Sequence, residues 1–115
     1  MKKTRKECNL SETCGVDFAF KRIGGKYKGR IIWHISMNEK LRYGELKRIL
    51  GDVTTKMLTQ SLRELEEDKL VHRKVFNQVP PKVEYTLTEN GEKLIPFISH
   101  LREWACDMMF EEVRQ

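Results

Sequence analysis

Three cysteines, three histidines and one cluster of carboxylates are the residues of this 115-residue chain that could do covalent, redox or acid–base chemistry. A thiol is reactive only as thiolate, which cations and helix N-termini favour. Cys14 stands just before a short predicted helix that carries Lys21 and Arg22, and Cys8 lies close to Arg5 and Lys6. Both are candidate reactive thiols, against the plainer reading of an inert, half-buried Cys14. Cys106 follows Ala105 in an apolar stretch and fits a core or seam position. Cys8 and Cys14 lack both C-x-x-C spacing and a neighbouring histidine, so neither a zinc site nor a thioredoxin-like motif is expected. His34, His72 and His100 are dispersed without an i,i+4 pair, so no metal ligation is expected. Glu64, Glu66, Glu67 and Asp68 read as a solvated helix end. With no GxSxG, P-loop or HExxH segment, the sequence predicts no enzyme and no cofactor.

A second kind of chemistry is hydrogen bonding to a polyanion. Thr54 is a good N-cap, and Met57, Leu58, Leu62 and Leu65 then recur at spacings of three and four through Asp68. With those four turned inward, Thr55, Lys56, Thr59, Gln60 and Arg63 turn outward, and together with Thr54 they are the candidate DNA contacts of this helix. Glutamine pairs bidentately with adenine, arginine or lysine with guanine, and threonine meets a thymine methyl. Plain solvation of this polar face is the competing reading.

The elements that must position that face can be read on either side of it. Residues 43–50, with Leu46, Ile49 and Leu50 apolar, predict a short helix stopped at Gly51, so residues 43–68 form a helix-turn-helix. Helical hairpins in purely structural bundles share this pattern. Upstream, residues 16–23 (Val16, Phe18, Ala19, Phe20, Ile23) predict a helix ended by Gly24-Gly25, and residues 26–37 another, with Tyr27, Ile31, Ile32, Ile35 and Met37 apolar. Downstream, Val71, Arg73 and Val75 alternate with His72, Lys74 and Phe76, and strand character resumes at Val83–Leu87 after a polar tip holding Pro80-Pro81. An isolated hairpin is unstable in water, so some of Val71, Val75, Tyr85 and Leu87 must pack on the helices. The expected fold is mainly α with a small β-hairpin (α+β), a winged helix-turn-helix.

On the wing, Arg73, Lys74, Gln78 and Lys82 are candidates for DNA contact beside a proline-stiffened tip. Lys26, Lys28 and Arg42 lie near helix starts and suit phosphate contacts. Lys2, Lys3, Arg5 and Lys6 add nonspecific attraction or solubility. Thr88 caps a last helix bearing Leu94, Phe97, Ile98, Leu101, Trp104, Ala105, Met108 and Met109, with a kink expected near residues 92–96 because Pro96 lacks an N–H. This stripe, about four turns long, is expected to pair with the same helix of a second copy. Folding back on its own domain is the alternative.

Composition agrees with these patterns. Hydrophobic residues make up 39% and charged residues 34%, which fits one soluble domain and no transmembrane span. Residues 1–87 carry 19 basic and 11 acidic side chains, whereas residues 88–115 carry 3 and 6. A basic body with an acidic last segment predicts a polyanion partner for the body and another role for the tail. The charged N-terminus has no apolar stretch after it, so no signal peptide is read and a cytoplasmic location is expected. The predicted divisions of this single domain are a basic arm (1–14), the helix-turn-helix (43–68), a wing (71–87) and a dimerisation helix (88–115).

Cys14-Gly15-Val16 and Ile23-Gly24-Gly25-Lys26-Tyr27 resemble the opening of HxlR-type transcriptional regulators, a MarR-like winged-helix group. The likeness strengthens at Lys56–Asp68 and continues through Leu70–Arg73, Val79–Thr88, Gly91, Leu94, Pro96 and Trp104, covering roughly residues 14–105. Gly15 stands where that family often has proline, Tyr27 replaces its tryptophan, Gly44 replaces a serine, and Lys69 sits where a glycine commonly ends the helix. The resemblance implies a homodimeric regulator that binds double-stranded operator DNA, with recognition helices about one helical turn apart. Some such regulators are thiol sensors using an N-terminal cysteine, which implies oxidant or electrophile sensing at Cys14 with Cys8 as resolving partner. A small-molecule effector is the other route to regulation. A winged-helix protein-interaction module without specific DNA binding is the alternative function, and a small thiol-redox protein a more distant one.

Overall fold

The computed structural model describes residues 14–114. Six helices and one hairpin follow in order: α1 (Gly15–Ile23), α2 (Lys28–Asn38), α3 (Tyr43–Leu50), α4 (Thr55–Glu67), β1 (Val71–Phe76), β2 (Lys82–Leu87), α5 (Glu89–Lys93) and α6 (Ile95–Arg114). The core is aliphatic. Ile31, Ile32 and Ile35 of α2 meet Leu46 and Leu50 of α3, Leu58, Leu62 and Leu65 of α4, and Val71 and Tyr85 of the hairpin. The predicted helix over 26–37 thus begins two residues later, and Met37, at its solvent end, is exposed.

The turn between α3 and α4 is built as expected. Gly51 ends α3 at φ 70°, a conformation that side-chain-bearing residues avoid, and donates its N–H to the carbonyl of Lys47. Thr54 then caps α4, its hydroxyl accepting from the N–H of Met57 at 3.1 Å. The buried stripe of α4 differs from the sequence reading by one position: Ser61 is buried and Met57 is 42% exposed. Residues 58, 61, 62 and 65 lie within one helical face, whereas position 57 is rotated about 100° from 58.

Where Lys69 replaces the usual glycine, the helix ends in the same geometry. Lys69 itself takes φ 61°, its N–H bonds the carbonyl of Glu66, and the N–H of Leu70 bonds that of Leu65. Those two bonds complete a Schellman motif, held against the strain of a left-handed lysine.

The wing pairs antiparallel, Val71 opposite Leu87 through Phe76 opposite Lys82. Val71 and Tyr85 are buried and Leu87 packs on the core, while Val75 points outward. Leu41 adds a one-residue third strand, exchanging both backbone hydrogen bonds with Tyr85 at 2.8 and 3.0 Å. This bridge ties the segment leading into α3 to the wing.

The predicted last helix divides in two. Thr88 caps α5 through the N–H of Gly91 and donates to the carbonyl of Lys69. Gly91 is buried against the Leu70 carbonyl, where a Cβ would come within 2.1 Å of that oxygen. The helix breaks at Leu94, two residues before Pro96, whose ring would crowd the carbonyl of Glu92. Leu94 and Ile98, expected on the dimer face, instead pack on the domain's own core. Phe97, Leu101, Trp104 and Met108 are 42–58% exposed, and Ala105 is half-buried.

Candidate nucleic-acid interface

Helix α4 presents Thr55, Lys56, Thr59, Gln60 and Arg63 on its exposed side, and neighbouring elements hold several of them. From α3, the Tyr43 hydroxyl lies 3.1 Å from both the Thr55 carbonyl and the Thr59 hydroxyl. Lys47, one turn further along α3, donates to the Thr55 hydroxyl at 2.6 Å. Gln60 donates to the Glu64 carboxylate at 3.1 Å. Tyr43 and Lys47 were not singled out in the sequence, although their i,i+4 spacing on a helix crossing α4 is a readable signal. The Thr54 hydroxyl accepts the capping bond from Met57, which leaves its O–H as a donor for a ligand.

The remaining predicted DNA-contact residues separate into two groups. Lys56, Arg63, Arg73 and Gln78 are exposed and have no side-chain hydrogen bond or ion pair among the described residues. Arg63 of α4 and Arg73 of β1 line one concavity of about 380 Å3 together with Tyr43, Thr59 and the carboxylate of Glu66, so helix and wing face one shared surface. Arg42 is exposed at the start of α3, where its backbone N–H bonds Glu45. Lys74 lies over the Phe76 ring at 5.0 Å.

The second group is neutralised internally. Lys26 pairs with Asp52 at 2.9 Å and Lys28 with Glu64 at 2.5 Å. Lys82 pairs with the buried Glu84 at 3.3 Å, as Lys40 does at 3.7 Å. The hydrogen bond from Lys26 holds the Asp52 carboxyl below its ordinary range, and the bonds from Lys28 and then Gln60 do the same for Glu64. Arg30 reaches the same turn, bonding the Leu50 carbonyl at 3.2 Å and Asp52 at 3.3 Å. Lys26, Lys28 and Arg30 brace the turn and α4 through these pairs, with Lys28 the most buried of the three.

The thiols sit elsewhere. Cys14 is exposed at the N-cap of α1, which removes the half-buried reading. Lys21 and Arg22 are not its neighbours: they occupy the far end of α1, about 10 Å along the axis. Arg22 stacks on Phe18 at 3.4 Å and bonds the Phe18 carbonyl. Cys106 is exposed on α6 instead of core-packed, and Cys8 and the basic arm lie outside the described residues. Among the described residues no group of His, Cys, Asp and Glu could hold a metal, and no helix is long and apolar enough to cross a membrane.

A helix-turn-helix, a wing bridged to it, and a polar, basic face running across both define a winged-helix DNA-binding protein. The pattern of the HxlR-like helix-turn-helix family matches residues 22–113, and the chain belongs to that family; it is a DNA-binding transcriptional regulator. It is 50% identical over 94 residues to the HTH-type transcriptional regulator YybR of Bacillus subtilis, covering 82% of this chain and 74% of the relative. It is 51% identical over 93 residues to YkvN of the same organism, covering 81% and 78%. The solved structure of the redox regulator HypR in its oxidized form shares 48% identity and a TM-score of 0.77, covering 82% of this chain and 96% of that one.

Proposed function

We propose that the protein is a homodimeric, sequence-specific regulator of operator DNA whose grip is released when Cys14 is oxidised or alkylated. The observation that carries the DNA reading is the shared surface of Arg63 and Arg73, two guanidiniums without an ion-pair partner among the described residues, which line one concavity with Thr59 and Glu66. Such cations bind phosphates or guanine edges, and the neighbouring Thr55, Thr59 and Gln60 face of α4 suits base contact. Lys56, Arg42, Lys74 and Gln78 extend the footprint.

The dimer reading rests on apolar exposure. Phe97, Leu101, Trp104 and Met108 leave a stripe of α6 uncovered, with Met109, Phe110 and Val113 beyond it and Val16, Phe18 and Phe20 exposed on α1. A second copy covers these faces and sets the distance between two recognition helices. The sensing reading rests on the exposure of Cys14 and on the likeness to HypR, a redox regulator. Diamide takes two electrons and two protons from a pair of thiols to form a disulfide, and Cys8 is the proposed second thiol.

The test is binding of the reduced protein to duplex from its own upstream region across a salt series, repeated after diamide. Affinity should fall log-linearly with salt. Arg63→Ala should lose about 1–3 kcal/mol of binding. Diamide should release wild type but not Cys14→Ser. Binding indifferent to salt and sequence would return the protein to a protein-interaction module. Release of Cys14→Ser by diamide would remove the sensor role alone. A monomer by light scattering at the highest binding concentration would remove the dimer.

A further inference from the structure

Gln60 stands on the exposed side of α4, where a glutamine can read a base only if its amide is held in one orientation. Its side chain is long and rotatable, and the amide must offer its carbonyl oxygen and one N–H together to pair bidentately with adenine. Glu64, one turn along the same helix, supplies the restraint. A carboxylate can only accept, so the Gln60 Nε2 donates to Glu64 Oε1 at 3.1 Å, leaving the amide oxygen and the second N–H unspent.

Glu64 would not be expected on a DNA-facing helix, because an acid there repels phosphates. It is tolerated because its other oxygen, Oε2, is met by Lys28 Nζ at 2.5 Å. The Lys28 side chain is only 14% exposed and rises from the first turn of α2, so the ammonium is anchored in the body of the domain. The three residues form a chain running from scaffold to recognition surface: ammonium, carboxylate, amide. Nothing comparable restrains Lys56 or Arg63, which have no such partners among the described residues.

We infer that Lys28 and Glu64 are positioning residues that orient the Gln60 amide for one base, which makes them determinants of sequence specificity though neither reads the base. The inference rests on the DNA-binding reading above. It assigns Lys28 a role opposite to a phosphate contact: it stabilises a negative charge at the interface instead of meeting one on DNA.

The test is selection of bound duplexes from a randomised pool, with wild type, Gln60→Ala, Glu64→Ala and Lys28→Met compared position by position. Gln60→Ala should erase the preference at one position of each half-site, an adenine, and leave the others. Glu64→Ala and Lys28→Met should each weaken discrimination at that same position, roughly fivefold or more. Gln60→Ala/Glu64→Ala should be no worse there than Gln60→Ala alone. Glu64→Ala removes a negative charge and frees Lys28, so its affinity for random duplex should rise. The salt slope of Lys28→Met should match wild type, because no phosphate contact is lost. A merely structural role would instead lower affinity at every position alike and lower the unfolding temperature. A wild-type preference that Glu64→Ala leaves intact would overturn the relay alone. A wild-type profile with no preferred sequence would overturn both the relay and the DNA-binding reading.

Discussion

The side of the molecule carrying α3, α4 and the wing is finished within one chain, whereas the side formed by α1 and the outer half of α6 is not. On the first, polar groups are paired across elements: Tyr43 with Thr59, Lys28 with Glu64, Arg30 and Lys26 with Asp52. Most of its apolar side chains form the core, with Leu58 and Leu65 completely buried, and the exposed ones (Ile49, Met57, Val75 and Val79) are scattered over α3, α4 and the wing. On the second, Phe18, Phe20, Leu101, Trp104 and Met108 are each more than 40% exposed. Between α2 and α6 runs an apolar cleft of about 470 Å3 floored by Trp33 and walled by Phe97 and Leu101. A reading surface must be rigid before its ligand arrives, whereas an association surface holds its apolar area in reserve.

The sharpest test of this contrast puts equivalent truncations on the two sides. Leu58→Ala should destabilise the domain by about 3 kcal/mol in urea unfolding. Leu101→Ala should change the stability of the dilute chain by less than about 0.5 kcal/mol. Leu101→Glu should nevertheless weaken self-association at least tenfold by sedimentation. Equal stability losses at 58 and 101 would erase the distinction.

The junction of the two sides gives the next largest effect. Gly91→Ala forces a Cβ against the Leu70 carbonyl, and a loss of about 2 kcal/mol is expected in the same assay. A neutral outcome would mean that α5 shifts freely on the wing.

Two non-glycine residues take left-handed backbone, Glu39 after α2 and Lys69 after α4. Lys69 holds φ 61° in the Schellman turn after α4, so Lys69→Gly should raise stability by roughly 0.5–1 kcal/mol once the greater freedom of the unfolded glycine is allowed for. A loss on substitution would show that the lysine side chain is needed there.

The smallest effect is expected in the cleft on the unfinished side. Burial, and then the Arg30 charge, hold the His34 imidazole below its ordinary range. Between that lowered range and the ordinary value of about 6.5 the unfolded chain binds more protons than the folded one, so the contribution is intact above about pH 6.5 and is lost as the pH falls below it. The urea midpoint of wild type should therefore drop between pH 7.5 and 5.5 by more than that of His34→Gln. Identical pH dependence would place His34 in open solvent.

Much of the fold was legible because its signals are local. Thr54 and Thr88 announce their helices by hydroxyls that cap the N–H groups three residues on, and Gly51 ends α3 where a left-handed residue is required. The spacing of Leu58, Leu62 and Leu65 gave the inner face of α4, and Pro96 the break before α6. The polar face of α4 followed by subtraction. Met57 misled because an apolar residue beside a stripe looks like part of it, and buried Ser61 escaped because a hydroxyl does not advertise burial. Leu94 and Ile98 were drawn to the outer face because one helical period cannot say which side of a stripe the domain itself covers.

Periodicity, caps and breakers therefore determined from sequence alone that this chain forms a helix-turn-helix with a wing and a long apolar last helix, and which face of α4 is polar. They act over three to five residues, within reach of a reading along the chain. Only the tertiary structure decided which charges face outward. Lys28 meets Glu64 across 36 positions and Lys26 meets Asp52 across 26, so two cations expected on DNA are held by the scaffold, whereas Lys82 meets Glu84 two residues along its own strand. A lysine's reach is several ångströms in any direction, and its partner is set by how helices cross, which no local pattern encodes.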